Sequence, residues 1–565
     1  MILAWLIIIL MIGGLLAWLA GRWNHLVCRW ISLITLIIDF IIIISIWISS
    51  PGNITISEKP SWMIELNTSW IPQFGINFHL ALDGLSLILL SLTFFLGIIS
   101  VITSWTEIQE RVGFFHFNIL WILAGITGVF LSLDLFLFYF FWEVMLIPMY
   151  FLIGIWGHEN RIYAAFKFFI FTQASGLLMF LSILALYFIH GRTTGVYTFD
   201  YMQLLGTSLS PTASFILMCG FLIAFLVKLP AVPFHPWLPD AHTEAPTAGS
   251  VILAGLLLKT GAYGILRFVI PLFPQSALAI SPYAMFFGAI GILYGAKLAF
   301  AQTDFKRLVA YTSVSHMGFV LLGAFAFNEL AFQGTVMQML AHGISTGALF
   351  VVAGLMQERI HTRDMNQMGG LWQQVPRIAG VGLLFSLASL GLPGLGNFIA
   401  EFLTLAGSYQ ANVGLTIFAA FGLIASTIYS LRIMQRIFYG KKEKEWKIWD
   451  FNLREMVMMG AMIIVIVWQG IYPQTFLRTS KSSVESIIRI FKSQIPNYNL
   501  KTELESGRRY KGIGYKGIRY EGKRYTGIKY NSFGIAHIPY TVYPYNHAKQ
   551  SAITRYDNLI RDEEL

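Results

Sequence analysis

Long apolar blocks with almost no charge decide what this chain can fold into. Residues 2–20 and 31–48 are each long enough to cross a hydrocarbon core of about 30 Å at about 1.5 Å per residue. Blocks of this kind recur almost to residue 475. A soluble domain carries about a quarter charged residues; here 12% of 565 residues are charged and 56% are hydrophobic. The chain reads as an all-α polytopic membrane protein, which excludes an ordinary soluble enzyme. Cys28 and Cys219 lie far apart in no Cys-x-x-Cys arrangement, so a cysteine-ligated zinc or iron–sulfur site is not expected. Any redox centre would belong to a partner.

The formal charge of +10 resembles a nucleic-acid signal until it is located. Beyond Phe476 lie sixteen Lys/Arg against eight Asp/Glu, so most of the excess sits in a tail. The expected partners are the lipid bilayer and other membrane proteins, not nucleic acid.

Apolar segments separated by short polar links predict fourteen helices, at 2–20, 31–49, 80–103, 114–132, 135–155, 164–189, 212–229, 246–269, 281–301, 306–326, 331–356, 378–406, 412–438 and 455–473. The first block lacks a basic n-region and a cleavage site, so it reads as a retained span. Arg22, Arg29, Arg161, Lys167, Lys306, Arg307, Arg359, Arg363, Arg377, Arg436, Lys441, Lys442 and Lys444 all fall on one side. The positive-inside rule makes that side cytoplasmic and puts both termini in the periplasm, in a multi-pass protein of the bacterial inner membrane.

Two spans are interrupted. The seventh ends in Lys228-Leu229-Pro230-Ala231-Val232-Pro233, and the twelfth contains Gly391-Leu392-Pro393-Gly394-Leu395-Gly396-Asn397. They are the fourth members of two five-helix units, 114–269 and 281–438, and an odd helix number turns the second unit upside down relative to the first. The expected organisation is helices 1–3 (1–113), two inverted repeats, a cytoplasmic loop with helix 14 (439–475), and a basic low-complexity tail (476–565) expected to be disordered. Two half-channels facing opposite sides follow from the inversion.

A charge at mid-bilayer costs about 2.5–3.5 kcal/mol on insertion scales, so each one needs a reason. Glu143 lies midway along the fifth helix, Lys228 before the break in the seventh, Lys259 midway along the eighth, His316 in the tenth, His342 in the eleventh, and Glu401 after the break in the twelfth. Each has a bland reading: a carboxylate tying helices together, a lysine reaching an interface, a neutral core histidine. The two lysines lie too deep for reaching, and the set forms the acid, base and imidazole series of a proton relay. At about 6 Å and an effective dielectric near 20, Glu143 and Lys228 would attract by roughly 3 kcal/mol, so moving one changes the other's hold on its proton. His235, Asp240 and His242, in the turn after the seventh helix, are candidates for cytoplasmic proton uptake. Asp134, just before the fifth helix, reads as an N-cap or first-turn charge, and Asp83, at the start of the third span, as structural.

Several motifs resemble a known family. The stretches 140–150 (FFWEVMLIPMY), 237–250 (WLPDAHTEAPTAGS), 301–318 (AQTDFKRLVAYTSVSHMG) and 393–402 (PGLGNFIAEF) are similar to the antiporter-like subunits of respiratory complex I, the proton-pumping NADH:quinone oxidoreductase. The resemblance runs over about residues 1–475. Glutamate at 401 is similar to the M-type branch; the L-type and N-type siblings carry lysine there. The long lateral helix that ends L-type chains has no expected counterpart, since 474 onward shows no comparable amphipathic run. The resemblance implies Glu143 and Lys228 as a coupled pair, Lys259 as central relay, His316 and His342 as link, and Glu401 as terminal carrier. It implies no cofactor in this chain, with FMN, iron–sulfur clusters and quinone in partner subunits, among them L-like and N-like chains. The competing readings are a subunit of a multi-subunit cation/proton antiporter, of a membrane hydrogenase or of a plastoquinone-reducing complex, and a scaffold for redox partners. A scaffold has no need to bury charge. Beyond 474 the family pattern stops, and Tyr510, Tyr515, Tyr520, Tyr525 and Tyr530 recur at period five, read as a repeat expansion or as a lipid-attracted segment.

Overall fold

The computed structural model describes residues 1–49, 62–441, 444 and 446–495; the tyrosine repeat and Lys442 lie outside them. The chain begins with α1 (Ile2–Ala20) and α2 (His25–Ser49), then a hairpin of β1 (Ile64–Ile71) and β2 (Ile76–Leu82). Next come α3 (Gly84–Glu107), α4 (Val112–Leu131), α5 (Leu135–Trp156), α6 (Arg161–Thr194), α7 (Pro211–Lys228) and the short α8 (Trp237–Glu244). They are followed by α9 (Thr247–Leu272), α10 (Pro274–Ala301), α11 (Phe305–Ala324) and α12 (Glu329–Ile360). A broken pair, α13 (Pro376–Ser389) and α14 (Gly396–Ala411), leads to α15 (Val413–Ile433), α16 (Leu453–Ile471) and α17 (Gln474–Ser493).

Among the described residues twelve helices are long and apolar enough to cross a membrane. The fourteen segments marked in the sequence coincide with these twelve, with α11, and with the broken pair. Short polar side chains set where the helices begin. Asp83 accepts from the Ser86 amide, Asp134 from Phe136 and Leu137, Asp304 from Arg307, Asn328 from Ala331 and Asn412 from Leu415, each satisfying amides that a first turn leaves orphaned. The cap reading of Asp134 holds; Asp83, read as structural, caps α3 and also pairs with Arg267 of α9. In α9 and α12 the whole apolar window is buried, against a third of it in α15. A helix apolar all round belongs in the middle, and these two carry Lys259 and His342.

Three local features depart from the sequence reading. The third helix starts at Gly84, because 76–82 is a strand whose Ile76, Phe78, Leu80 and Leu82 alternate with Asn77, His79 and Ala81. His79 clasps this hairpin to the bundle, with Nδ1 2.5 Å from Asp200 and Nε2 2.8 Å from Glu65. Burial disfavours its charge, but Asp200 and Glu65 outweigh that and hold the imidazole above its ordinary pKa. Second, α9 contains two π turns, Leu253–Leu257 and Ile265–Val269, on either side of Lys259.

The third departure is a correction to the tail, whose first residues form α17. Phe476, Val484, Ile487 and Phe491 share its buried face. Trp47 Nε1 donates to Thr479 Oγ1 at 3.0 Å, Leu85 N to Ser483 Oγ at 3.1 Å and Gln494 Nε2 to Pro271 O at 3.1 Å. An amphipathic helix of twenty residues therefore follows Pro473, inside the segment expected to be disordered.

Candidate functional site

The central helix α9 presents Lys259, wholly buried. Its Nζ donates to the carbonyl of Ala254 at 2.5 Å and lies 2.6 Å from His342 Nδ1. Ala254 sits inside the first π turn, a distortion that re-aims backbone carbonyls and is frequent at functional sites. An ammonium only donates, so with Lys259 protonated His342 Nδ1 is the acceptor and the histidine's own proton sits on Nε2.

The His342 ring stands edge-on to His316, with centroids 5.5 Å apart. His316 Nε2 is 3.0 Å from the Ser389 carbonyl, 3.3 Å from Tyr429 Oη and 3.8 Å from Glu401 Oε1. The sequence explains the first contact. Ser389 is the last helical residue before the chain turns at Gly391, so its carbonyl is one of those a helix end leaves without an intrahelical partner. The freed carbonyl accepts from His316, which places that proton on Nε2 and leaves Nδ1 bare. The break also makes room for Glu401: Gly391 holds φ +80°, and a Cβ there would come within 2.6 Å of Glu401 Oε2. Both Glu401 oxygens are buried without a hydrogen-bond partner. Lys259, His342, His316 and Glu401 thus form one line of neighbours drawn from α9, α12, α11 and α14.

Glu143 and Lys228 do not form an ion pair among the described residues. Lys228 Nζ has no hydrogen-bond partner and sits over the rings of Trp142 at 5.1 Å and Phe168 at 5.4 Å, a cation–π seat. Glu143 is half-buried beside Tyr139 and Gln173. Pro230 breaks α7 as Pro393 breaks the twelfth span: the Ala231 amide goes to Leu226 O, and Val227 O accepts from Trp237 Nε1 at 2.9 Å.

The three uptake candidates separate. Asp240 is tied to Lys167 at 2.6 Å and Arg307 at 3.3 Å, so it is an ion-pair anchor. His242 is wholly buried, stacked on Phe350 at 4.6 Å, with neither ring nitrogen hydrogen-bonded. His235 meets Tyr294 edge-on at 5.4 Å.

Sequence reasoning missed other buried polar groups. Lys306, counted as a loop charge, is wholly buried, with Nζ 3.3 Å from Ala245 O and 3.4 Å from His158 Nε2. Burial, then Lys306 and Arg363, push the His158 pKa down to about 3, so it stays neutral. Glu107 accepts from the Thr247 amide at 2.9 Å and hydroxyl at 3.0 Å. Asp39, inside the block 31–48, is wholly buried with neither oxygen hydrogen-bonded. A lone acid in an apolar block was the available signal. Among the described residues no group of three or more His, Cys, Asp or Glu can hold a metal ion.

Comparison with known proteins adds the following. Residues 132–428 match the family described as NADH:quinone oxidoreductase/Mrp antiporter, TM. The chain is 51% identical over 497 residues to NADH-quinone oxidoreductase subunit M of Pseudomonas aeruginosa, covering 86% of this chain and 97% of that one. It resembles a chain of respiratory complex I from Thermus thermophilus with a TM-score of 0.79 at 29% identity, over 86% of this chain and 99% of that one. A chain of the Mrp complex from Dietzia shares the fold, with a TM-score of 0.73 at 19% identity over 87% and 99%.

Proposed function

Because this chain belongs to the family of NADH:quinone oxidoreductase and Mrp antiporter membrane subunits, on its subunit M branch, we propose that it carries protons across the membrane while other subunits perform the redox chemistry. The reading rests on the order of the buried line. With Lys259 protonated, it donates into His342 Nδ1 and His342 carries its proton on Nε2; His316 Nε2–H points to the Ser389 carbonyl, with Glu401 at 3.8 Å, and His316 Nδ1 is bare. The four side chains follow one another from Lys259 through His342 and His316, whose ring centroids are 5.5 Å apart, to Glu401. His342 Nε2 and His316 Nδ1 have no hydrogen-bond partner, which leaves them free to pass a proton through a bridging water between the rings.

Lys228, held by aromatic faces rather than by hydrogen bonds, keeps its proton while Glu143 is near and passes it towards Lys259 when Glu143 withdraws. The breaks after Lys228 and before Glu401 occupy matching places in the two five-helix units, which supports inverted repeats and two half-channels. Uptake runs from the side of the Arg/Lys-rich loops, the cytoplasm on the positive-inside reading, past His242. Glu401 releases to the other side, where both termini lie. FMN, iron–sulfur clusters and quinone would be held by partner subunits, with L-like and N-like chains as membrane neighbours. A cation/proton antiporter shares the fold, and sequence identity to subunit M favours the NADH-driven complex.

The test is NADH-driven proton uptake by proteoliposomes containing the assembled complex with His316→Ala. The proposal requires uptake to fall while NADH–quinone electron transfer survives in uncoupler-treated vesicles. Wild-type uptake would overturn it.

A further inference from the structure

Where α1 ends and α4 begins, a cleft of about 400 Å³ opens between two interhelical turns, lined by Trp18, Gly21, Arg22, His25, Arg111, Val112, Gly113 and Phe114. Three of these side chains are basic and none is acidic. Neither Arg22 nor Arg111 has an ion-pair partner among the described residues; Arg22 lies instead over the Trp18 ring at 5.5 Å. The floor is made by glycine. A Cβ on Gly113 would come within 2.8 Å of the Trp18 carbonyl and 3.0 Å of Gly21 Cα, so only glycine lets the two backbones meet there. Arg111 holds φ 49°, rare for a residue with a side chain, and caps α4 without a side-chain hydrogen bond. The first helical bond of α4 comes from Phe115, so the amides of Val112, Gly113 and Phe114 have no partner within the helix and border the same cleft.

The position selects the occupant. The cleft lies at the ends of two candidate spans, on the side of the Arg/Lys-rich loops and hence at headgroup depth. Below it, the outer face of α1 exposes Leu15, Leu16, Trp18 and Leu19. Free phosphate would use the charges but not this apolar flank. We propose that the cleft holds the phosphate headgroup of an anionic phospholipid, with its acyl chains along α1. The arginines would supply directed donors and Trp18 an interfacial ring.

The test uses the assembled complex in nanodiscs doped with a photo-crosslinking phosphatidylglycerol, and maps the labelled peptides. Labelling of peptides spanning 15–25 and 110–118 is expected. A basic residue near an anionic surface contributes about fivefold in binding, so Arg22→Gln with Arg111→Gln should lower labelling about 30-fold. The double lysine variant, which keeps charge, should lower it much less and guards against a folding defect. Millimolar inorganic phosphate should not compete. Equal labelling by a phosphatidylcholine probe, unchanged labelling in the glutamine variant, competition by free phosphate, or crosslinks joining these peptides to a neighbouring subunit would each overturn the proposal.

Discussion

Replacing Lys259 by arginine separates a relay from a fixed charge. The lysine is wholly buried, its Nζ held between Ala254 O at 2.5 Å and His342 Nδ1 at 2.6 Å. A guanidinium keeps the positive charge and can still donate to His342, but it does not give up its proton in proteins. A proton-transfer group of this kind contributes about 10²–10⁴ in rate, or about 3–5 kcal/mol of barrier. The bulkier head adds about 1–3 kcal/mol of overpacking, too little by itself to dissolve a bundle of this size. Lys259→Arg is therefore expected to assemble, as seen by native gel, and to lose at least about 100-fold in the proton transfer that passes through this chain. The assay is proton uptake per NADH oxidised in proteoliposomes, with Lys259→Ala alongside as the variant lacking both charge and carrier. Wild-type uptake by Lys259→Arg would mean that only a positive charge is needed, and would refute the relay.

Glu143→Gln keeps size while removing the charge that acts on Lys228, so it should abolish most pumping with assembly intact, and Glu143→Asp should be milder; normal uptake by the glutamine variant would sink the coupling. At Glu401, glutamine should stop pumping while lysine, which can also take up and release a proton, retains part of it; a purely structural carboxylate gives the reverse order, read by the same uptake assay. The His79 clasp should be sensitive to alkali. Its folded pKa lies above the unfolded value of about 6.5, so its stabilisation is complete below that value and is lost as pH rises through the folded pKa. Hydrogen exchange of the hairpin amides, corrected for intrinsic rate, should show opening become easier over that range, and His79→Gln should flatten the dependence; a flat wild-type profile would count against it.

The buried line was legible because charge inside apolar helices is rare. Lys228, Lys259 and Glu401 stand out at once, and Pro230 and Pro393 announce the breaks beside them. What hid the rest was physical. Lys306 stands at the start of a helix, where loop charges are common, and only the folded chain brings Ala245 and His158 around it. Asp39 was averaged away by its apolar neighbours. The π turns leave no compositional trace, because one extra residue in a fully buried helix changes no polar face. The hairpin and α17 were lost to window length: seven alternating residues were absorbed into α3, and α17 keeps only one apolar stripe among charged residues.

The Ser389 carbonyl, left free where the twelfth span breaks, would also set the rhythm of a transfer through His316. A proton arriving at His316 Nδ1 and another leaving from Nε2 would finish with the imidazole in its opposite tautomer, unable to accept a second from the same side. Ser389 O, 3.0 Å from Nε2, rewards only the starting form, so each passage leaves the ring cocked and the backbone draws it back. On the proposed relay, the helix break would act as an escapement: one charge per swing, with the ring reset by the backbone carbonyl beside it.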